Sequence, residues 1–267
     1  MSDLANVFRR HFRRDRNALF IWGGLCGGFG LLIAVIYPSF AESLEGMLAN
    51  YPEAFLRAFM GGTVPSFGTV EGFMALEYFS WIPVMYAAYA ALAGAGMVAE
   101  ETDRGTVEFL LAQPVRRSTV IAGKFLVFLV YLAGIVVVSA LGLSGGLYAA
   151  GVDHSLRLFG HQFVSGYLVA MAYGAISLLI SVLAGELRRA TSVSLGVVFG
   201  TWFLLMAANL SERMELLGYL SPLCYAGATA VLERGSLPPG DVAVLLAITA
   251  VAFVAALVLF ERKELAA

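Results

Sequence analysis

Charged residues are scarce in this chain, 13% of 267 positions against about 25% in ordinary globular domains. Apolar residues reach 60% and mean hydropathy is +0.82. A soluble core of this size cannot hide so much apolar surface, so the solvent must be lipid. The net charge of −2 argues against a nucleic-acid partner. Only two cysteines occur, Cys26 and Cys224, too far apart to suggest a disulfide framework or a zinc spacing. Ionisable residues are nearly absent from the long apolar runs; Glu77 and Glu186 stand at their edges. That argues against a proton- or sodium-coupled carrier, which needs such groups at membrane depth. A phosphate loop is missing too. Gly123-Lys124 is followed by Phe125 in place of Ser or Thr, and Ser118 stands where the first glycine belongs.

What is present is six apolar segments, at about 18–38, 76–98, 119–150, 163–185, 191–209 and 240–260, each long enough for the ~20 residues a span requires. They predict an all-α polytopic membrane protein, with an interfacial segment at 1–17, the spanning domain at 18–260 and a tail at 261–267. The first run is too long for a signal peptide, and Tyr37-Pro38 is a poor cleavage site. The third run exceeds a bilayer core, so it must tilt, project or break, with Gly142, Gly145 and Gly146 as the expected break. With the N-terminus inside, thirteen Lys and Arg fall in cytoplasmic segments and four outside. That bias places both termini in the cytoplasm, at the cell membrane.

Three segments between or before the spans carry their own patterns. Leu4, Val7, Phe8, His11 and Phe12 recur at helical spacing opposite Arg9, Arg10, Arg13 and Arg14, the pattern of a basic amphipathic helix on the inner leaflet. Outside, Leu44, Met47, Leu48 and Tyr51, then Phe55, Leu56, Phe59 and Met60 after Pro52, predict two short surface helices. The third is a charged island at 99–124, holding Glu100, Glu101, Asp103, Arg104, Glu108, Arg116, Arg117 and Lys124. Within it Thr106 can cap a helix, Glu108 suits the positive first turn, and Val107, Leu110 and Leu111 share one face. Pro114 ends that helix, and Ser118 can cap the next.

Glu100-Glu101, Arg104-Gly105-Thr106, Glu108-Phe109-Leu110-Leu111, Pro114-Val115-Arg116-Arg117 and Gly123-Lys124 together resemble a stretch in the permease subunits of type-two ABC exporters. Leu220-Ser221-Pro222 and the closing Phe260-Glu261-Arg262-Lys263-Glu264-Leu265 agree, although Glu264 replaces the commoner aspartate. The resemblance implies a transport subunit and not an enzyme: two permease chains pair, and each docks on a separate ATPase through the loop after the second span. ATP and magnesium would sit on that partner, with no cofactor or metal on this chain. Glu100, Glu101, Asp103, Arg104, Gly105, Thr106, Val107, Glu108, Leu110, Leu111 and Pro114 would form the coupling element. Arg116, Arg117 and Lys124, like Arg9, Arg10, Arg13 and Arg14, would face anionic lipid. Pairing of two identical chains is the default expectation, with a different permease as partner the alternative.

A translocation path is expected on the second and fifth spans, which line the dimer interface in the resembling family. Tyr78, Met85, Tyr86 and Tyr89 lie close to one helical face, with Trp81 nearby and Pro83 expected to kink the span; Thr201, Trp202, Met206 and Asn209 lie on the fifth. An uncharged aromatic path favours a hydrophobic or amphipathic cargo such as a drug or lipid. The competing function is a membrane enzyme. Gly142-Leu143-Ser144-Gly145-Gly146 matches the serine-nucleophile pattern of hydrolases and of intramembrane proteases. Its weakness is the base, because His11, His154 and His161 all lie outside the spans. Asp153, His154 and His161 have no recognised metal spacing.

Overall fold

A computed structural model describes residues 16–48, 69–103, 117–210 and 212–262. Among them six helices are long and apolar enough to cross a membrane: Asn17–Phe40, Val70–Asp103, Ser118–Ala149, Leu156–Ala184, Leu187–Leu210 and Pro239–Arg262. The described residues contain no strand, so the all-α polytopic architecture holds. The helices are α1 (Arg16–Leu48), α2 (Val70–Glu77), α3 (Ile82–Asp103), α4 (Arg117–Ala149), α5 (Leu156–Ala184), α6 (Leu187–Leu210), the short α7 (Glu215–Gly218) and α8 (Ala228–Arg234), and α9 (Pro239–Arg262).

Caps set the boundaries that hydropathy misplaces. α5 begins seven residues before the expected 163 because the Ser155 hydroxyl accepts the Leu158 N–H at 3.3 Å. It ends where Gly185 turns left-handed at φ 74°. The second span begins at Val70, not 76, behind Thr69, whose hydroxyl accepts the Gly72 N–H at 3.2 Å. Pro83 does more than kink this span. Lacking an N–H, it cannot continue the ladder, and α2 and α3 separate at Tyr78–Trp81. The Phe79 N–H reaches back to the Met74 carbonyl at 2.8 Å, and the Ser80 hydroxyl donates to the Ala75 carbonyl at 2.7 Å. α1 runs on through Pro38 to Leu48. The residues after Pro38 include Ala, Glu, Leu and Met, good helix formers that restart the ladder. The expected surface helices over 44–60 are therefore corrected in their first part, which belongs to α1; residues 49–68 lie outside the described residues.

The expected break in the third span does not occur: α4 is continuous. Its glycines serve a different purpose, close passage of α1. A Cβ on Gly142 would run into the Gly27 carbonyl, one on Gly146 would lie 2.7 Å from the Ala34 Cβ, and one on Gly27 would lie 2.9 Å from the Val138 carbonyl oxygen. These contacts advance together along both chains, so α1 and α4 run in the same direction. A second glycine crossing joins α3 to α5, again running the same way, where a Cβ on Gly94 would lie 2.6 Å from the Gly174 carbonyl oxygen. α9 reaches α4 through Phe125 and Phe253, ring centroids 4.8 Å apart. Asp103 meets Leu187, so α6 runs antiparallel to α3. One end of the bundle thus gathers Arg16, Asp103, Arg117, Leu187 and Arg262; we call it the island end.

Gly142→Leu forces α1 and α4 apart and should cost about 1–3 kcal/mol or more. Gly145→Leu, where a Cβ meets nothing within 4 Å, should change stability by less than about 0.5 kcal/mol. Unfolding of the detergent-purified chain by sodium dodecyl sulfate measures both, and equal effects would refute the glycine crossing.

Candidate functional site

The charged island leaves the bundle at Asp103 and returns at Arg117. Arg104, Gly105, Thr106, Val107, Glu108, Leu110, Leu111, Pro114 and Arg116 lie outside the described residues, as do Arg9, Arg10, Arg13 and Arg14. What the structure does describe is the mounting of the island, and three polar anchors hold it.

The first is Lys124, about two turns inside α4. Its side chain is 8% exposed, with Nζ 2.5 Å from Glu101 Oε1 and donating to the Met97 carbonyl at 2.6 Å. This corrects the expectation that Lys124 faces lipid headgroups. An ammonium at this depth needs carboxylate and carbonyl acceptors in place of water, and α3 supplies both. The second is Ser181 of α5. Its hydroxyl donates to the Ala95 carbonyl at 2.6 Å and accepts from the Ala99 N–H at 2.9 Å and the Val98 N–H at 3.2 Å. A hydroxyl set into the α3 backbone ladder in this way marks a place where that helix can bend. The third is Asp103, whose Oδ2 accepts the Leu187 N–H at 2.9 Å. A carboxylate at the first turn of α6 also meets the positive end of the helix dipole. The last two turns of α3 are therefore bonded separately to α4, α5 and α6. Glu100 is half-buried beside this network. None of the three bonds is visible in sequence spacing, since their partners lie 23 to 86 positions away; a lone lysine inside an apolar run was the one available signal.

The expected path residues divide into two groups. Tyr78, Tyr86 and Tyr89 are buried inside the chain. Tyr78 stacks on Phe29 at 5.5 Å and donates weakly to the Cys26 carbonyl at 3.4 Å; Tyr86 lies against Gly166; Tyr89 packs between Trp22 and Phe128. As placed they are core, which corrects their assignment to an open conduit. The break at Tyr78–Trp81 removes the helical phase that aligned Tyr78 with the residues after it, whereas Tyr86 and Tyr89 share the unbroken α3 with Met85 and are covered by neighbouring helices. Met85, Trp202, Met206 and Asn209 stay half-buried. Trp202 pairs with the exposed Trp81 at 5.8 Å and with Phe203 at 4.9 Å, near the end opposite the island. Thr201 turns its hydroxyl to the Val197 carbonyl and to the Tyr173 hydroxyl, both at 2.7 Å.

Ser144 lies within the unbroken α4, so its motif has no strand-to-helix elbow to expose a nucleophile. His154 stacks on Phe159 at 5.3 Å, and among the described residues no three His, Cys, Asp or Glu gather to hold a metal ion. Burial, with the Asp241 charge, pushes the Cys224 thiol up, away from reactive thiolate.

Lys124→Met leaves the half-buried Glu101 without this cation and should cost about 3 kcal/mol. The double change Lys124→Met with Glu101→Met should recover most of that loss in the same unfolding assay; no recovery would mean that the pair is not coupled.

A family model described as ABC-2 family transporter protein matches residues 28–265, taking in all six helices but the first turns of α1. No curated protein matches the chain. The anchored island, six spanning helices and a match over nearly the whole length agree: this chain belongs to the ABC-2 transporter family, as a membrane-spanning permease subunit that works with an ABC ATPase.

Proposed function

We propose that this chain is the permease of an ATP-driven exporter, coupled to its separate ATPase through residues 100–118. The observation that carries this reading is the mounting of the island. Lys124, Ser181 and Asp103 bond the last turns of α3 to α4, α5 and α6, so a force applied to the island reaches four spans together. Val107, Leu110 and Leu111 would fill an apolar groove of the ATPase, with Gly105 at the turn and Glu108 toward a basic rim. ATP and magnesium bind on the partner. ATP binding there can shift the permease between inward- and outward-facing states only through contacts that differ between the two. The excess of Lys and Arg in the segments at the island end supports a cytoplasmic position for that end and for both termini.

Two copies of the chain form the transporter, and cargo passes between them. Trp81, Met85, Thr201, Trp202, Met206 and Asn209, none of them ionisable, would line that route and suit a hydrophobic or amphipathic cargo.

Leu110→Asp with Leu111→Asp tests the docking. Taking away two leucines that the ATPase groove would cover removes about 1.5–3 kcal/mol each, so the amount of nucleotide-binding ATPase that co-purifies from native membranes in mild detergent should fall more than about tenfold. Retention of the ATPase at the wild-type ratio would sink the coupling role of this loop.

A further inference from the structure

Ser139, Thr201, Thr249 and Thr102 each donate to the carbonyl four residues back in their own helix, at 2.7, 2.7, 2.8 and 3.2 Å. That is the usual place for a hydroxyl within a helix. Ser181 departs from it. Fully buried, it donates to a different helix, to the Ala95 carbonyl at 2.6 Å, and accepts the Ala99 N–H at 2.9 Å. Ala95 and Ala99 are the two ends of one i→i−4 rung of α3, so a hydroxyl of α5 bridges that rung.

A second arrangement satisfies the same groups. With the Ser181 hydroxyl turned back to the Ser177 carbonyl, the Ala99 N–H pairs with the Ala95 carbonyl in a regular rung. None of these groups is orphaned in either arrangement, so neither carries the desolvation cost that would exclude it. What differs is the link between helices. The first arrangement bonds α5 to α3 and the second releases it.

The surroundings form a pivot beside this bond. On the side away from the island a Cβ on Gly94 would lie 2.6 Å from the Gly174 carbonyl oxygen and 2.7 Å from the Ser177 Cβ, so the two backbones are in close contact there. On the island side Ala95 and Ala99 pack with Ala190 of α6, with Ala184 and Leu187 around them. Methyl groups make shallow ridges that oppose sideways movement of a helix little.

We propose that Ser181 is a two-position latch. Bonded across to α3, it ties the island to α5; turned back to Ser177, it frees residues 96–103 to swing about the Gly94–Gly174 crossing. Lys124 and Asp103 then still hold the island to α4 and α6. The use of this latch in transport rests on the coupling role of the island, but its two positions need no ATPase.

Spin labels on Thr102→Cys and Glu261→Cys, near the island ends of α3 and α9, report the swing by double electron–electron resonance in the full chain in detergent. Cys224→Ala removes the half-buried native thiol, and the buried Cys26 is left in place. The chain with native Ser181 should give two distances. Ser181→Ala, with no hydroxyl to bridge the rung, should fold and give one. Ser139→Ala, which removes a hydroxyl bonded to its own helix, should keep two. The proposal is overturned if the chain with native Ser181 gives a single distance, if both distances survive Ser181→Ala, or if Ser181→Ala fails to fold, since a rung that closes on itself leaves nothing unpaired. Each of these outcomes is independent of ATPase docking on Leu110 and Leu111, so failure of the latch and failure of the docking are read separately.

Discussion

Lipid is as apolar as leucine, so burying a leucine between two helices gains little over leaving it in the bilayer. Helices in this setting hold together only where their backbones approach closely or where polar groups find partners. The first condition is met twice here, at Gly27, Gly142 and Gly146 between α1 and α4, and at Gly94 and Gly174 between α3 and α5. Each crossing brings a carbonyl within reach of the neighbouring helix and leaves no room for a side chain. These two pairs running in the same direction fix the bundle, and the remaining spans pack around them.

The second condition concentrates at the island end. A lysine, a serine and an aspartate bind α3 to three neighbours, and each would be costly if unpaired in a low-dielectric setting. The opposite end is held differently. There Gln162 donates to the Ala228 carbonyl at 2.6 Å, Tyr225 to the Tyr219 carbonyl at 3.0 Å, and the Ser155 N–H to Glu71 at 3.2 Å. Those bonds tie loops and short helices onto the spans. This contrast, firm links among spans at the island end and smaller elements at the other, suits the proposed coupling of an ATPase through the island.

Much of the architecture was legible beforehand. Hydropathy located six spans, and the island residues pointed to the ABC-2 family that the match over 28–265 establishes. Span limits were less legible, because Ser155, Thr69 and Gly185 set them through single hydrogen bonds or one backbone angle, which a window average blurs. The same holds for Gly142 and its neighbours. A glycine cluster in an over-long apolar run fits a break and a close crossing equally well until the facing helix is known. Tyr78 was misassigned because a helical face can be projected from sequence only as far as the helix is unbroken, and Tyr86 and Tyr89 because a face read from sequence does not say which neighbouring helix covers it.

Composition and periodicity, then, determined the solvent, the number of spans and the position of a charged island between the second and third, because these depend on the character of residues summed along the chain. The placement of Lys124 in the protein interior and the mounting of α3 on three other helices were decided by the tertiary structure. They depend on groups from different helices meeting within about 3 Å for hydrogen bonds, a distance that no spacing along a single chain encodes.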